Sequence, residues 1–240
     1  MLSAVVGGRV RWAFTDRTGG TSGAPYDSLN LGGHVGDDST AVLANRAVLA
    51  DALGVLVDSL VFMDQVHGAS VRRVGGEHQG PVPSTDGIVT TQPGLVLVVL
   101  VADCVPVLLA DPVAGVIAAV HAGRPGVHHR IVLEAVREMA ALGARPQNTT
   151  ALLGPSVCAG CYEVPEAMRA EVAAAVPATW ASSRTGTPAL DLRAGLAADL
   201  AAEGIVAESV GPCTAESPHL FSYRRDGRTG RFAGAIWLDR

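Results

Sequence analysis

The chain has 240 residues, 48% of them hydrophobic and only 17% charged, with a formal net charge of −5. That length and apolar content suffice for a substantial core, and the acidic balance gives no general attraction to nucleic acid or anionic membrane. Four cysteines, two of them in Cys158-x-x-Cys161, suit reduced thiols better than a disulfide framework. The longest apolar run is interrupted by Asp103 and Pro106 and is too short to span a bilayer. The start, MLSAVVGGRVRWAF, lacks the basic region of a signal peptide. The expectation is one soluble, cytoplasmic domain over 1–240 with neither nucleic-acid nor membrane partners.

Arg9–Phe14 alternates as a strand and runs into residues 15–38, which are dense in Gly, Ser, Asp and Pro. Long loops of this kind are more often functional than idle. Asp38 or Ser39 caps a helix through Leu53, with Gly54 just past its end. Asn45 and Arg46 lie on that helix, and Arg46 is a candidate anion binder. Leu60-Val61-Phe62 opens a short strand. Beyond it, Gln65 and His67 alternate with Val66 and so share a face of an extended segment. Ser84-Thr85-Asp86-Gly87 reads as a turn, with Asp86 capping it, before a strand Ile88–Thr91.

The centre of the chain is residues 94–126. Leu95–Ala110 and Val116–Val120 are apolar runs rich in Val, Leu and Ile, and such runs read as strands buried on both faces. Asp111-Pro112-Val113-Ala114 between them carries turn chemistry, which predicts a central hairpin. If Asp111 pairs with Ala114 and Ala110 with Gly115, Cys104 falls directly opposite His121 on one sheet face. Three readings of that pair stand: a small buried hydrophobe beside a core histidine, a Cys–His nucleophile couple, and two ligands of a zinc ion.

Residues 127–142 have helical periodicity that stops at Gly143, with His128 and His129 in the first turn. Thr149–Leu153 reads as a strand, followed by GPSVCAGCYEV, where Cys158 and Cys161 are read as reduced structural thiols. Residues 165–176 and 191–203 are Ala-rich helices, the second capped by Asp191 and stopped by Gly204. Asp226-Gly227 marks a turn and Phe232–Leu238 a last strand. Arg224, Arg225, Arg228 and Arg231 form a basic cluster suited to an acidic ligand or to a solvated loop.

Taken together, Thr18-Gly-Gly-Thr-Ser, Ser28-Leu-Asn-Leu-Gly with Gly36-Asp-Asp, Asn45-Arg46, Gln65-Val-His-Gly, Thr85-Asp-Gly, Ala102-Asp-Cys-Val-Pro, His121-Ala-Gly, Gly154-Pro155, Tyr162-Glu-Val and the closing Arg-rich turn resemble the YfiH-like family. This family is also called laccase-domain or polyphenol oxidase proteins. The resemblance covers nearly the whole chain. It implies a four-layer α/β/β/α sandwich with mixed sheets and one zinc held by His67, Cys104 and His121, the catalytic set. It also implies phosphorolysis of purine nucleosides, including methylthioadenosine, with adenosine deamination alongside. The motif matches extend the substrate site to Arg46, Gln65, Asp103 and Asn30. The family's usual His-Ala-Gly-Trp-Arg-Gly reads His121-Ala-Gly-Arg124-Pro125-Gly126 here, so the Trp is lost and the Arg shifted.

Two His and one Cys suit zinc and leave a fourth position open. Zinc-activated water attacking C6 of adenine is deaminase chemistry. Phosphorolysis needs a phosphate site, for which Arg46 and the loop amides of 17–37 are available. Multicopper oxidation fits poorly, because its coppers are mostly His-ligated and the chain has 7 His and no His-x-His pair. The expected partners are a purine nucleoside and phosphate, in a monomer or weak homo-oligomer. A Cys–His hydrolase, a peptidoglycan-editing role and a non-catalytic zinc protein are the alternatives.

Overall fold

A computed structural model of the chain describes residues 2–6, 8–76 and 80–239. In chain order its main elements are β1 (Leu2–Val6), β2 (Val10–Phe14), α1 (Ser39–Leu53), β3 (Leu60–Val61), β4 (Val71–Arg73), β5 (Gly87–Thr90), β6 (Val96–Val101), β7 (Val105–Asp111) and β8 (Val116–Ala122). There follow α2 (Arg124–His128), α3 (Ile131–Ala140), β9 (Thr150–Leu153), α4 (Glu166–Ala175), β10 (Trp180–Ser182), β11 (Pro188–Leu190), α5 (Leu192–Ala202), β12 (Val206–Ser209), α6 (Tyr223–Asp226) and β13 (Phe232–Leu238). One sheet has the order β1-β2-β13-β6-β3 and the other β12-β9-β7-β8-β5-β4, while β10 and β11 form a separate ribbon. Both sheets are mixed. β3 runs parallel to β6, β9 to β12 and β4 to β5, and the other pairs are antiparallel.

The pleat decides the layers. Along β6, Leu97 and Val99 face a core shared with Leu108, Ile117 and Ala119 of the opposite sheet. Val96, Val98 and Leu100 point the other way, onto Leu49 and Ala50 of α1. Along β7, Leu108 and Ala110 join the inter-sheet core. Val105, Val107 and Leu109 instead meet Ile131 and Val132 of α3 and Leu196 of α5. Alternate residues thus enter different cores, and strands covered on both faces need apolar residues throughout. The result is the expected four-layer α/β/β/α sandwich. Among the described residues, no helix is long and apolar enough to cross a membrane.

Helix α1 has the predicted ends. The Asp38 side chain accepts from the Thr40 amide, and Gly54 closes the helix at φ 69°. Three central expectations are corrected. The run 95–110 is two strands in two sheets, β6 and β7, because the chain turns at Asp103 with φ 92° and passes between layers. Hydrophobicity cannot reveal that crossing, since both strands are equally buried; the lone Asp is the only polar mark of it. The hairpin register is also shifted, with Asp111 facing Val116 and Pro106 facing His121. Asp111 Oδ1 accepts from both the Val113 and Ala114 amides at 2.9 Å, which wraps a longer turn closed by Gly115 at φ 66°. A two-residue slip leaves every side chain on its predicted face, so Cys104 and His121 still meet, diagonally rather than directly opposed. Lastly, the 127–142 segment divides into α2 and α3 at Arg130, whose φ of 55° breaks the helix.

Candidate active site

Cys104 sits at the entrance to β7, and His121 lies near the end of the neighbouring β8. His67 lies between β3 and β4 at φ 60°, so it and Gln65 do not alternate along one extended segment as expected. Asp86 supplies what sets the loop. Its fully buried carboxylate accepts from the amides of Val66 (3.2 Å), His67 (3.0 Å) and Gly68 (2.7 Å). It also takes the His121 Nδ1 hydrogen bond at 2.8 Å, and the Asp86 carbonyl accepts from the His121 amide. One acid therefore holds both histidines. It assigns the Nδ1 proton of His121 to Asp86 and leaves Nε2 for the Cys104 side. Read from sequence, Asp86 was a turn cap; Thr85-Asp-Gly was the only signal of the larger role.

The donor atoms of His67, Cys104 and His121 lie within 4.8 Å of one another. Cys104 Sγ is 3.7 Å from His67 Nε2. A tetrahedral centre with zinc-like bond lengths keeps its ligand atoms roughly 3.3–3.8 Å apart, so the three donors fit a single ion. Gly123 makes the approach possible: a Cβ there would stand 2.8 Å from the His67 ring and 3.0 Å from Cys104 Sγ. This is the steric reason for glycine in His121-Ala-Gly.

The electrostatics of the cluster are strong. Burial alone would raise the Cys104 thiol, but the positive His121 and hydrogen bonds from both histidines bring it down to about 6. Burial would lower His121, and the Cys104 thiolate and Asp86 outweigh it, raising the imidazole to about 9. Without a metal, the pair is thus thiolate and imidazolium near neutral pH. Burial also works against the Asp86 carboxylate, yet the hydrogen bonds from His121 and Gly68 hold it below its ordinary value.

The cluster opens onto a cavity of about 440 Å³. Arg124, Arg224 and Arg231 give it a cationic wall, His34 adds an imidazole, and Tyr162 and Tyr223 add aromatic surface. Among the described residues the Arg124 guanidinium makes no side-chain hydrogen bond or ion pair; it stands at the first residue of α2. The shifted Arg of the family motif therefore still reaches the cavity. Burial and the Cys104 thiolate push the Tyr162 phenol above its ordinary value, so it stays neutral. Burial and Arg231 push His34 down.

The remaining predicted residues divide. Gln65 lines the cavity, but its amide mimics a strand, donating to Leu100 O (2.7 Å) and accepting from Leu100 N (2.9 Å). Asp103 also lines it, with its carboxylate committed to Thr214 Oγ1 (2.6 Å), Ser222 Oγ (2.7 Å) and the Arg224 amide (2.6 Å). It clamps the segment that carries Arg224. Asn30 and Arg46 are not brought to the cavity lining. Asn30 Oδ1 accepts from the Gly32 and Arg231 amides, fixing the backbone of a cavity residue. Arg46 donates to Leu31 O through Nε and Nη2 and lies 4.0 Å over the Phe62 ring. Asn45 binds Thr21, Ser22, Ser28 and Asn30, so Asn45-Arg46 anchors the long loop. The closing basic cluster splits as well. Arg224 and Arg231 face the cavity, while Arg225 pairs with Asp226 and Arg228 donates to Tyr26 Oη. Sequence reasoning missed His34, Tyr162 and Tyr223, and only Tyr162 lay in a quoted motif.

Residues 11–239 match the family model described as multi-copper polyphenol oxidoreductase laccase. A purine nucleoside phosphorylase of Streptomyces griseus is 55% identical over 240 residues, covering 99% of this chain and 98% of that protein. Another from Streptomyces coelicolor is 56% identical, covering 95% of both. Among solved structures, YlmD from Geobacillus stearothermophilus matches with a TM-score of 0.88 and 32% identity, over 96% of this chain and 92% of that one.

Proposed function

The chain belongs to the multi-copper polyphenol oxidoreductase laccase family, and from that premise we propose that it is a zinc-dependent purine nucleoside phosphorylase with adenosine deaminase activity at the same cavity. The observation that carries the reading is a cationic wall facing a His–Cys–His cluster across one cavity of nucleoside size. The purine nucleoside phosphorylase names of close relatives agree with it.

His67, Cys104 and His121 would hold the zinc, and zinc there would supply Lewis acidity to the reacting nucleoside. Arg124, Arg224 and Arg231 bind phosphate, whose oxygen forms the new bond to the sugar carbon as the glycosidic bond breaks and its electron pair leaves with the purine. The neutral Tyr162 phenol offers an O–H donor to that departing base, and the exposed face of Tyr223 offers a stacking surface. Zinc is preferred because three protein donors leave one position open. A one-copper electron-transfer centre of two His and one Cys uses a weak axial Met, Gln or backbone oxygen; no Met lines the cavity, and the amide of Gln65 is committed to Leu100. Multicopper oxidation would need further His-rich centres, and the other donor cluster among the described residues has no His. The free thiols fit a reducing, cytoplasmic setting.

Purified protein should convert adenosine plus phosphate to adenine and a sugar phosphate, and convert adenosine alone to inosine. Arg124→Ala should raise the phosphate KM by about 10–100-fold, the value of one charge-assisted hydrogen bond, while deamination is unchanged. Base release independent of phosphate in the parent would remove the phosphorylase reading, and an unchanged phosphate KM would remove Arg124 from it.

The charge state of the pair adds a calorimetric test. At pH 7.5 Cys104 lies above its value of about 6 and is ionised, while His121 lies below its value of about 9 and carries a proton. Zinc uptake should then displace one proton from the pair, from His121, and more than one near pH 5, where Cys104 is protonated too. Titrations in buffers of different ionisation heat measure this. Release of no proton at pH 7.5 would show that the pair carries none there, since water ionising on the open zinc position can only add to the count.

A further inference from the structure

Away from the cavity, a second set of donors converges from two separate stretches of chain. Cys158 caps and Cys161 ends a single 3-10 turn, Ala159–Cys161, in which the Cys161 amide donates to the Cys158 carbonyl. Cys213 and Glu216 come from a turn after β12, and a parallel bridge between Ser156 and Cys213 brings the two stretches together. The three sulfurs and one carboxylate oxygen lie within 4.8 Å of one another, and all the cysteines are free. Cys161 Sγ is 3.6 Å from Glu216 Oε1, within the ligand spacing of a tetrahedral site, roughly 3.3–3.8 Å for zinc-like bonds.

We propose that Cys158, Cys161, Cys213 and Glu216 form a second, structural zinc site, distinct from the cavity. Four protein donors close a tetrahedral shell, which is the pattern of structural rather than catalytic zinc. The surroundings suit thiolates. The Cys158 amide donates to Cys213 Sγ at 3.3 Å, so that sulfur is already an acceptor. Arg184 pairs with Glu216 and orients the carboxylate as outer partners of ligands do. Gly160, between the two cysteines, leaves room for the Arg184 side chain, whose Cγ would be 3.1 Å from a Cβ there. Arg193 of α5 donates to the carbonyls of Ser156 (3.2 Å) and Pro212 (3.3 Å), tying both stretches at their backbones. The two arginines offset the excess negative charge of three thiolates and a carboxylate on a divalent ion.

The site would act as a clip on the cavity wall. Thr214 follows Cys213 directly and donates to Asp103, and Tyr162 follows Cys161 directly and lines the cavity. The alternative, a disulfide between two of these thiols, would leave the third sulfur and Glu216 without a common purpose.

The test is metal content of the full chain, loaded with zinc under reducing conditions and then desalted. The parent should retain two zinc ions, Cys104→Ala one, and Cys213→Ser one. In Cys104→Ala, cobalt(II) in place of zinc should give tetrahedral d–d bands and the intense charge-transfer absorption of three thiolates. Because Cys213→Ser can fail by misfolding, the parent supplies an independent reading. With zinc bound, peptides containing Cys158, Cys161 and Cys213 should resist alkylation by iodoacetamide, and chelation should expose all three together. A folded Cys104→Ala protein that retains no zinc and shows no cobalt–thiolate band would overturn the site. So would equal alkylation of these cysteines with and without chelator, or a disulfide linking two of them. These outcomes are separate from the cavity reading, since Cys104→Ala has already disabled the first cluster.

Discussion

Replacing Cys104 with serine should abolish zinc retention at the cavity and lower phosphate-dependent nucleoside cleavage by about 10³-fold or more, while the protein remains folded. Catalytic metals supply several kcal/mol of transition-state stabilisation, and each 1.4 kcal/mol is roughly tenfold in rate. Cys104 Sγ is the only soft donor of its cluster, and a serine hydroxyl will not ionise in its place at neutral pH. Folding should survive because serine is close in size and Cys104 is not among the fully buried side chains.

The same substitution has to be separated from loss of a nucleophile. His121 lies between the Cys104 thiolate and the Asp86 carboxylate, the arrangement of a Cys–His–Asp hydrolase. If Cys104 attacks substrate, the zinc-loaded parent should be alkylated stoichiometrically at Cys104 and turnover should survive chelation. If Cys104 is a ligand, alkylation should be slow with zinc present and fast after chelation, and Cys104→Asp should recover part of both metal binding and activity. His67 favours the ligand. It brings a third donor to 3.7 Å from the sulfur, which a nucleophile couple does not need. Full activity in rigorously zinc-free protein would decide for the thiol.

Asp86→Ala should carry the largest stability loss of any single change near the cavity, about 3–5 kcal/mol as expected when one partner of a buried charged network is removed. In a chain of this size that lowers Tm by roughly 10 °C or more. Three loop amides and His121 Nδ1 lose their acceptor at once. Zinc affinity should fall by at least about 10–100-fold, the usual effect of losing an outer partner, because neither histidine is then held in place. Asp86→Asn should fall between: its oxygen serves His67 and His121, but its NH₂ group meets the Gly68 amide donor to donor.

The pH dependence gives an internal check. The Asp86 carboxyl is held below its ordinary value, so its contribution is complete above the unfolded-state value and is lost as pH falls through the lower folded-state one. The parent should therefore lose stability on strong acidification along a branch that Asp86→Asn lacks. Thermal unfolding from neutral to acid pH, with zinc titrations beside it, reads both effects. An Asp86→Ala protein with parental zinc affinity would remove Asp86 from the positioning role.

Local chemistry is what the sequence carried on its own. The Asp38 and Gly54 caps bound a helix because side-chain acceptors and left-handed glycine act within one turn. The apolar runs announced strands covered on both faces, and period-two alternation set Cys104 and His121 on a common face even though the register slipped by two. Which layer each strand joined was a tertiary matter. β6 and β7 are equally buried, and packing against α1 on one side and α3 and α5 on the other tells them apart. Long-range hydrogen bonds also reassigned the polar residues. Asp86 became the support of two histidines, while Arg46 was drawn to the Leu31 carbonyl instead of the cavity. Cys158 and Cys161 looked like an isolated pair, because their partners Cys213 and Glu216 lie more than fifty residues away. No local pattern encodes such a meeting; it exists only once β9 and β12 pair in parallel and carry both stretches to the same end of the sheet.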